Sequence, residues 1–195
     1  MSENVTTVLL CGVGGQGTIL AADLLARVAM AAGVDVKVSE IHGMAQRGGA
    51  VTTVVRFGDG VKSMVTDPGC ADCVVSFEKM EALRNISFVR EGGLLLVNDE
   101  VIKPQSVATG KASMPEDMDG QLASANALVI PADRLAREAG TAKAANVVLL
   151  GALSTRLGFD EETWTECVAK RVPEKFLKEN LAAFAAGRAF ASEIR

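Results

Sequence analysis

Tyrosine is absent from this chain, tryptophan and histidine occur once each, and aromatic residues make up only 4% of it. With so few rings there is no stacking platform for single-stranded nucleic acid. A basic excess is missing too. The net charge is −4 and the pI about 5.1, the opposite of the positive footprint that binding to a phosphate backbone requires. No apolar run reaches the roughly 20 residues of a membrane helix, because Asp23 interrupts the first candidate, and no basic segment precedes that candidate as it would in a signal peptide. Neither nucleic acid nor membrane is therefore expected as a partner. The four cysteines are Cys11, Cys70, Cys73 and Cys167. With no secretory signal they are expected to be free thiols in a reducing cytoplasm. The single histidine rules out a multi-histidine metal site.

What the chain has in quantity is Ala, Val, Leu and Gly, within a 49% hydrophobic composition. At 195 residues it is long enough for one domain with a full core, burying roughly 70% of the surface exposed when unfolded. No linker, internal repeat or low-complexity tract interrupts it, so residues 1–195 are assigned to a single domain. Its organising stretch is Val8-Leu9-Leu10-Cys11-Gly12-Val13-Gly14-Gly15-Gln16-Gly17-Thr18-Ile19-Leu20. An apolar run stops at a glycine cluster and a helical pattern follows at once, which reads as strand, tight loop and helix start. The spacing Gly12-x-Gly14-x-x-Gly17 fits the dinucleotide-binding fingerprint, in which glycines admit backbone close to a ligand and the helix start offers N–H groups to an anion. The same spacing also serves a tight strand–helix turn that holds no phosphate.

Further elements follow the same periodicities. Residues 5–10 read as a buried strand, 18–32 as a helix capped by Gly33, and 34–39 as a second strand, giving a βαβ unit. Residues 50–57 and 61–65 alternate as two strands, with Gly58-Asp59-Gly60 as a hairpin turn between them. Residues 73–77 form another strand, 78–89 a helix stopped by Gly92-Gly93, and 94–97 a strand ending at Asn98-Asp99. Residues 100–126 read as loop with one short element, 127–130 as a last strand. Helices are expected over 132–139, 144–157, from an Asp160 N-cap to about Lys170, and over 174–194. The predicted fold is α/β: a Rossmann-like open mixed sheet, mostly parallel, with helices on both faces and a helical C-terminus.

Chemistry-bearing residues are sparse. If a nicotinamide dinucleotide bound the glycine loop, an acid should end the second strand, and Glu40 sits there; as a solvated loop acid it would do nothing. The polar stretch Glu40-Ile41-His42-Gly43-Met44-Ala45-Gln46-Arg47-Gly48-Gly49 lies on the carboxyl edge, where open α/β sheets bind ligands. His42 can act on substrate, pair with phosphate or make a structural hydrogen bond. Arg47, followed by Gly48 and Gly49, can meet an anion or an internal or inter-subunit acid. Cys70-x-x-Cys73 has the spacing of zinc and redox sites, but no second pair completes a coordination shell. Gly58-Asp59-Gly60 also opens the thiamine-diphosphate motif, but a helix and an Asn pair should follow it. Here it lies between two alternating segments and Asn85 is single. No nucleophile–base pair, metal cage or cluster is present, and the residues by themselves describe an anion-binding α/β domain.

The glycine loop, the stretch 40–49 and the tail Asn180-Leu181-Ala182-Ala183-Phe184-Ala185-Ala186-Gly187 together resemble the gamma-type subunit of 2-oxoacid:ferredoxin oxidoreductases. The His-Gly-Met-Ala-Gln-Arg-Gly-Gly version is most similar to the small (beta) subunits of the indolepyruvate branch. The likeness spans nearly the whole chain. It implies a complex that oxidatively decarboxylates an arylpyruvate to an aryl-acetyl-CoA and passes two electrons to ferredoxin. It places thiamine diphosphate, magnesium and iron–sulfur clusters in a large (alpha) partner subunit, with CoA as co-substrate and no cofactor held tightly by this chain, which would be inactive alone. No catalytic or metal-binding residue is assigned here. Gly12, Gly14, Gly15, Gln16, Gly17 and Thr18 are expected to face phosphate or CoA. His42, Met44, Gln46, Arg47, Gly48 and Gly49 are expected to face substrate or the partner. Two alternatives stay open, an NAD-linked Rossmann dehydrogenase and a non-catalytic scaffold subunit.

Overall fold

The computed structural model describes residues 5–42 and 49–194, with His42 described through its backbone alone. Among these residues one six-stranded sheet runs in the order β2-β3-β1-β4-β5-β6. Its strands are β1 (Val5–Val13), β2 (Asp35–His42), β3 (Ala50–Gly58), β4 (Ala71–Ser76), β5 (Val89–Asn98) and β6 (Leu128–Ile130). Only β3 runs against the others: it pairs antiparallel with both β1 and β2, while β1, β4, β5 and β6 pair parallel. The expected mixed, mostly parallel sheet is therefore present. The chain passes from β1 through helix α1 (Thr18–Ala31) to β2, and β3 is later inserted between those two strands.

Strand alternation divides the core into two layers. Val8 and Leu10 of β1, Val55 and Phe57 of β3, Val75 of β4 and Leu96 of β5 face one side. Leu9, Cys11, Val54, Val74 and Leu95 face the other. The first side is covered by α1 and by α5 (Ala132–Glu138), α6 (Ala145–Ser154), α7 (Glu161–Arg171) and α8 (Leu177–Glu193). The second carries α2 (Lys79–Asn85) and α4 (Met118–Ser124), and the short α3 (Gln105–Ala108) precedes α4. No helix among the described residues is long and apolar enough to cross a membrane.

Helix α1 forms because Ala21, Leu24, Leu25, Val28 and Ala29 recur at helical spacing and are all buried. It ends in a Schellman turn, with Gly33 at φ 76° donating to the Met30 carbonyl and Val34 donating to that of Ala29. The scarce aromatic rings are concentrated on the same side. Phe57, Phe159, Trp164 and Phe184 form a chain with centroid separations of 5.2, 6.4 and 5.8 Å, which ties β3 to α7 and α8.

Four expectations from the periodicity need correction. Residues 61–65 form no strand. Both edges of β3 are already taken by β1 and β2, so no hairpin partner can sit beside it. Instead Lys37 Nζ donates to the Val61 carbonyl and Arg56 Nη1 to that of Ser63 at 2.6 Å, which holds the segment against the second side of the sheet. The helix expected over 78–89 stops at Asn85 and tightens into a 3₁₀ turn, Ile86–Phe88. Gly92 and Gly93 then lie inside β5, near a register irregularity opposite Ala71 and Cys73, and Gly92 has φ 68°. Residues 100–126 hold two short helices rather than one element, α3 and α4. The expected N-cap of α7 is present at Asp160, with Glu161 and Glu162 in the first turn, although the Asp160 side chain makes no capping bond.

The tightest packing is between α6 and α8. A Cβ on Gly151 would overlap the Phe184 carbonyl, and one on Gly187 would overlap that of Val148. The two helices meet backbone to backbone, which explains the run of small residues in the C-terminal tail. Gly151→Ala or Gly187→Ala should therefore lower stability by about 3 kcal/mol through overpacking. Circular dichroism melts should show a midpoint about 6–12 °C lower; a variant melting with the parent chain would contradict this contact.

Candidate functional site

The glycine loop sits at the carboxyl end of β1. Gly12 is still in the strand, and a Cβ there would come within 2.8 Å of both Gln16 Oε1 and Phe77 Cβ, so its glycine serves packing. Gly14 donates its N–H to the Gly49 carbonyl at 2.9 Å, and the Gln16 N–H returns to the Val13 carbonyl at 3.1 Å. Gly15 has φ 110° with open space before it. Gly17, the N-cap of α1, has φ 85°, and a Cβ there would be 2.6 Å from Asn146 Nδ2. Both turns favour glycine because an L side chain is strained at positive φ.

A groove of about 350 Å³ opens in front of this loop, lined by Gly14, Gly15, Gly17, Thr18, Ile19, Glu40 and Val51. The first-turn N–H groups of α1, on Thr18 and Ile19, have no intrahelical acceptor. Across the groove stands Glu40, near the end of β2 and exposed. Ile19, 58% exposed, supplies an apolar lip. The arrangement offers N–H donors suited to an anion on one wall and a carboxylate acceptor suited to a hydroxyl or amine on the other.

Of the residues singled out in the sequence, Gly14, Gly15, Gly17 and Thr18 line this groove. Gly12 and the Gln16 side chain are instead engaged in shaping the loop. Gly49 is brought to the loop through its carbonyl, so the two glycine-rich segments meet. The backbone of His42 closes β2 opposite Val51. Met44, Gln46, Arg47 and Gly48 lie outside the described residues.

Several residues with no motif of their own gather at the same edge. Asn98 Nδ2 donates to the Phe77 carbonyl at 3.2 Å and to Asp133 at 2.7 Å, while its Oδ1 accepts from Ala132 N–H at 3.0 Å. Glu78 is fully buried and caps α2, accepting from the N–H groups of Met80 and Glu81. Burial, partly opposed by Arg84, raises the Glu81 carboxyl above its ordinary range. The only sequence signal for this group was that Asn98-Asp99 ends a strand.

The cysteines do not form a site. Cys11 and Cys73 are buried in opposite layers, and burial pushes both thiols up to about 12. Cys70 is exposed just before β4. Among the described residues no three His, Cys, Asp or Glu side chains are grouped to hold a metal. Gly58-Asp59-Gly60 ends β3 with Asp59 exposed and no helix following. These residues fit neither an iron–sulfur cluster, which needs thiolates, nor a magnesium diphosphate.

A sequence profile of the pyruvate ferredoxin/flavodoxin oxidoreductase family matches residues 7–190. The chain belongs to that family. Two relatives named indolepyruvate oxidoreductase subunit IorB, from Thermococcus kodakarensis and Pyrococcus horikoshii, are each 40% identical to it, over 96% of this chain and 96% of the relative. The crystal structure of a keto/oxoacid ferredoxin oxidoreductase gamma subunit from Geobacter sulfurreducens superposes with a TM-score of 0.72 at 26% identity, covering 96% of this chain and 99% of that one. Membership of this ferredoxin oxidoreductase family favours a ferredoxin-linked subunit over a nicotinamide-linked dehydrogenase.

The thiol environments give a direct test. In the native protein Cys70 should be alkylated by iodoacetamide within minutes at pH 8, while Cys11 and Cys73 become reactive only on unfolding, as read by mass spectrometry of peptides. Prompt native labelling of Cys11 would contradict its place in the core.

Proposed function

We propose that this chain is the small subunit of a 2-oxoacid:ferredoxin oxidoreductase acting on an arylpyruvate such as indolepyruvate. The reaction is oxidative decarboxylation to the aryl-acetyl-CoA, with electrons passed to ferredoxin. The observation that carries this reading is full-length likeness, at 40% identity, to relatives bearing the IorB subunit name. The large subunit holds thiamine diphosphate, magnesium and the iron–sulfur clusters, and the complex works in the cytoplasm. This chain contributes binding rather than proton transfer, because its described groove presents no base paired with a nucleophile.

Within that reading, the loop at residues 14–18 faces the phosphates of CoA with the backbone N–H groups of Gly15, Gly17 and Thr18. Glu40 in the same groove would repel a phosphate placed against it, so its carboxylate faces a hydroxyl or amine of the ligand. Arg47, in the adjoining segment, supplies the cation that the groove lining lacks. His42, Met44, Gln46, Gly48 and Gly49 complete the rim towards substrate or the large subunit.

Co-expression with the large subunit should yield a complex that reduces ferredoxin only when both indolepyruvate and CoA are present. Arg47→Ala should raise the KM for CoA about tenfold, the loss of one charge-assisted contact. Unchanged CoA affinity and turnover would remove Arg47 from this role. A purified single chain that turned over a 2-oxoacid unaided, or bound NADH in a fluorescence titration, would overturn the assignment as a subunit.

A further inference from the structure

The Gln16 side chain spans three strand ends. Its Oε1 accepts from the Val13 N–H at 2.8 Å, and its Nε2 donates to the Phe77 carbonyl at 2.9 Å and to Glu100 Oε2 at 2.8 Å. Those partners lie at the end of β1, just after β4 and just after β5. The amide can take only this orientation, because reversing it would set its NH₂ against the Val13 N–H and its oxygen against two acceptors. Gln16 is the one residue with a side chain among residues 14–17, and its neighbours Gly15 and Gly17 both stand at positive φ. The glycines give the loop freedom, and Gln16 removes it. Of the three bonds, the one to Glu100 is the only one made to an ionisable group, and such bonds are about twice as strong as neutral ones. Glu100 is itself fixed: its N–H donates to the Asn98 carbonyl and its carbonyl accepts from Lys79 N–H, both at 2.8 Å.

We propose that Glu100 is a positioning residue for the glycine loop, acting through Gln16 to hold residues 14–18 in the arrangement that presents the N–H groups of Gly15, Gly17 and Thr18 to an anionic ligand. For CoA as that ligand, the inference rests on the function proposed above. The groups that face Glu100 are the carboxylates of Asp133 and Glu78, the guanidinium of Arg137 and the Gln16 amide. Burial first, then repulsion from Asp133, raises the Glu100 carboxyl above the ordinary range, against the Gln16 bond and Arg137. A carboxyl raised in the folded state binds its proton at higher pH than in the unfolded chain. Its effect on stability is therefore a loss as pH rises through that window. For the loop the sign is reversed: the charged acceptor exists only above the raised range, and as pH falls through it Gln16 is left with a neutral partner. CoA affinity should weaken on that acid limb.

The test uses the complex with the large subunit, comparing the wild type with E100Q, E100A, Q16L and the Q16L/E100A double variant between pH 5 and 8. The readouts are CoA binding by calorimetry, KM and kcat, and amide hydrogen exchange at Val13, whose N–H is held by the Gln16 side chain. E100A should weaken CoA binding about 3–10-fold at pH 8 with kcat nearly unchanged. It should also speed exchange at Val13. E100Q keeps a neutral acceptor for Nε2, as the protonated wild type does, so it should bind CoA like the wild type at the foot of its acid limb, tighter than E100A, and show no acid limb of its own. The double variant should be no worse than Q16L alone. Wild-type CoA binding, acid limb and Val13 exchange in folded E100A would overturn the proposal, as would fully additive effects in the double variant. If the wild-type complex fails to bind CoA, the proposed function falls. Val13 exchange then decides the positioning role by itself, faster in E100A supporting it and unchanged overturning it.

Discussion

Backbone polar groups at the end of a sheet lose their ladder partners, and burying them unpaired is costly. In this protein that constraint falls on the carboxyl ends of β1, β4 and β5, which finish side by side beneath the glycine loop. Two side-chain amides resolve it. Gln16 takes the Val13 N–H and the Phe77 carbonyl, while Asn98 takes the same carbonyl from the other side and reaches across to the start of α5. Once these groups are satisfied internally, the N–H groups left over are those of Gly15, Gly17 and the first turn of α1, and they line the groove. The site is thus what remains after the edge has been bonded to itself.

The layer beneath explains why that edge can be held in place. Among the described residues, five helices and all three ring–ring contacts lie on one side of the sheet, and α6 and α8 approach closely enough to exclude any side chain at Gly151 or Gly187. α6 also supplies Asn146, whose amide contacts Gly17 at the start of α1. The packing of α6 on α8 therefore bears on the loop itself. The chain has spent its small residues on close approach rather than on chemistry. That agrees with a subunit that shapes a binding rim while the reaction is housed elsewhere.

Much of this was legible from residue patterns, and the failures have specific causes. The continuous apolar run at Val8-Leu9-Leu10 reads as a central strand because it is buried on both faces. The spacing of α1 and its terminal Gly33 depend on local geometry alone. Residues 61–65 misled because alternation reports which side chains are buried, not whether a partner strand is free. Gly92-Gly93 misled because a glycine pair stops a helix and makes a bulge equally well, and the choice depended on what β4 required of β5.

The α/β class, the strand–loop–helix unit and the family can be read from the residues alone, because each rests on short-range spacing or on a motif read residue by residue. It takes the folded chain to show that β3 is inserted between β1 and β2, that Gly14 meets Gly49, and that Gln16 meets Glu100 across 84 positions of chain. Those contacts join residues far apart in the chain. No periodicity encodes them, because they follow from which backbone groups remain unpaired once the sheet has closed.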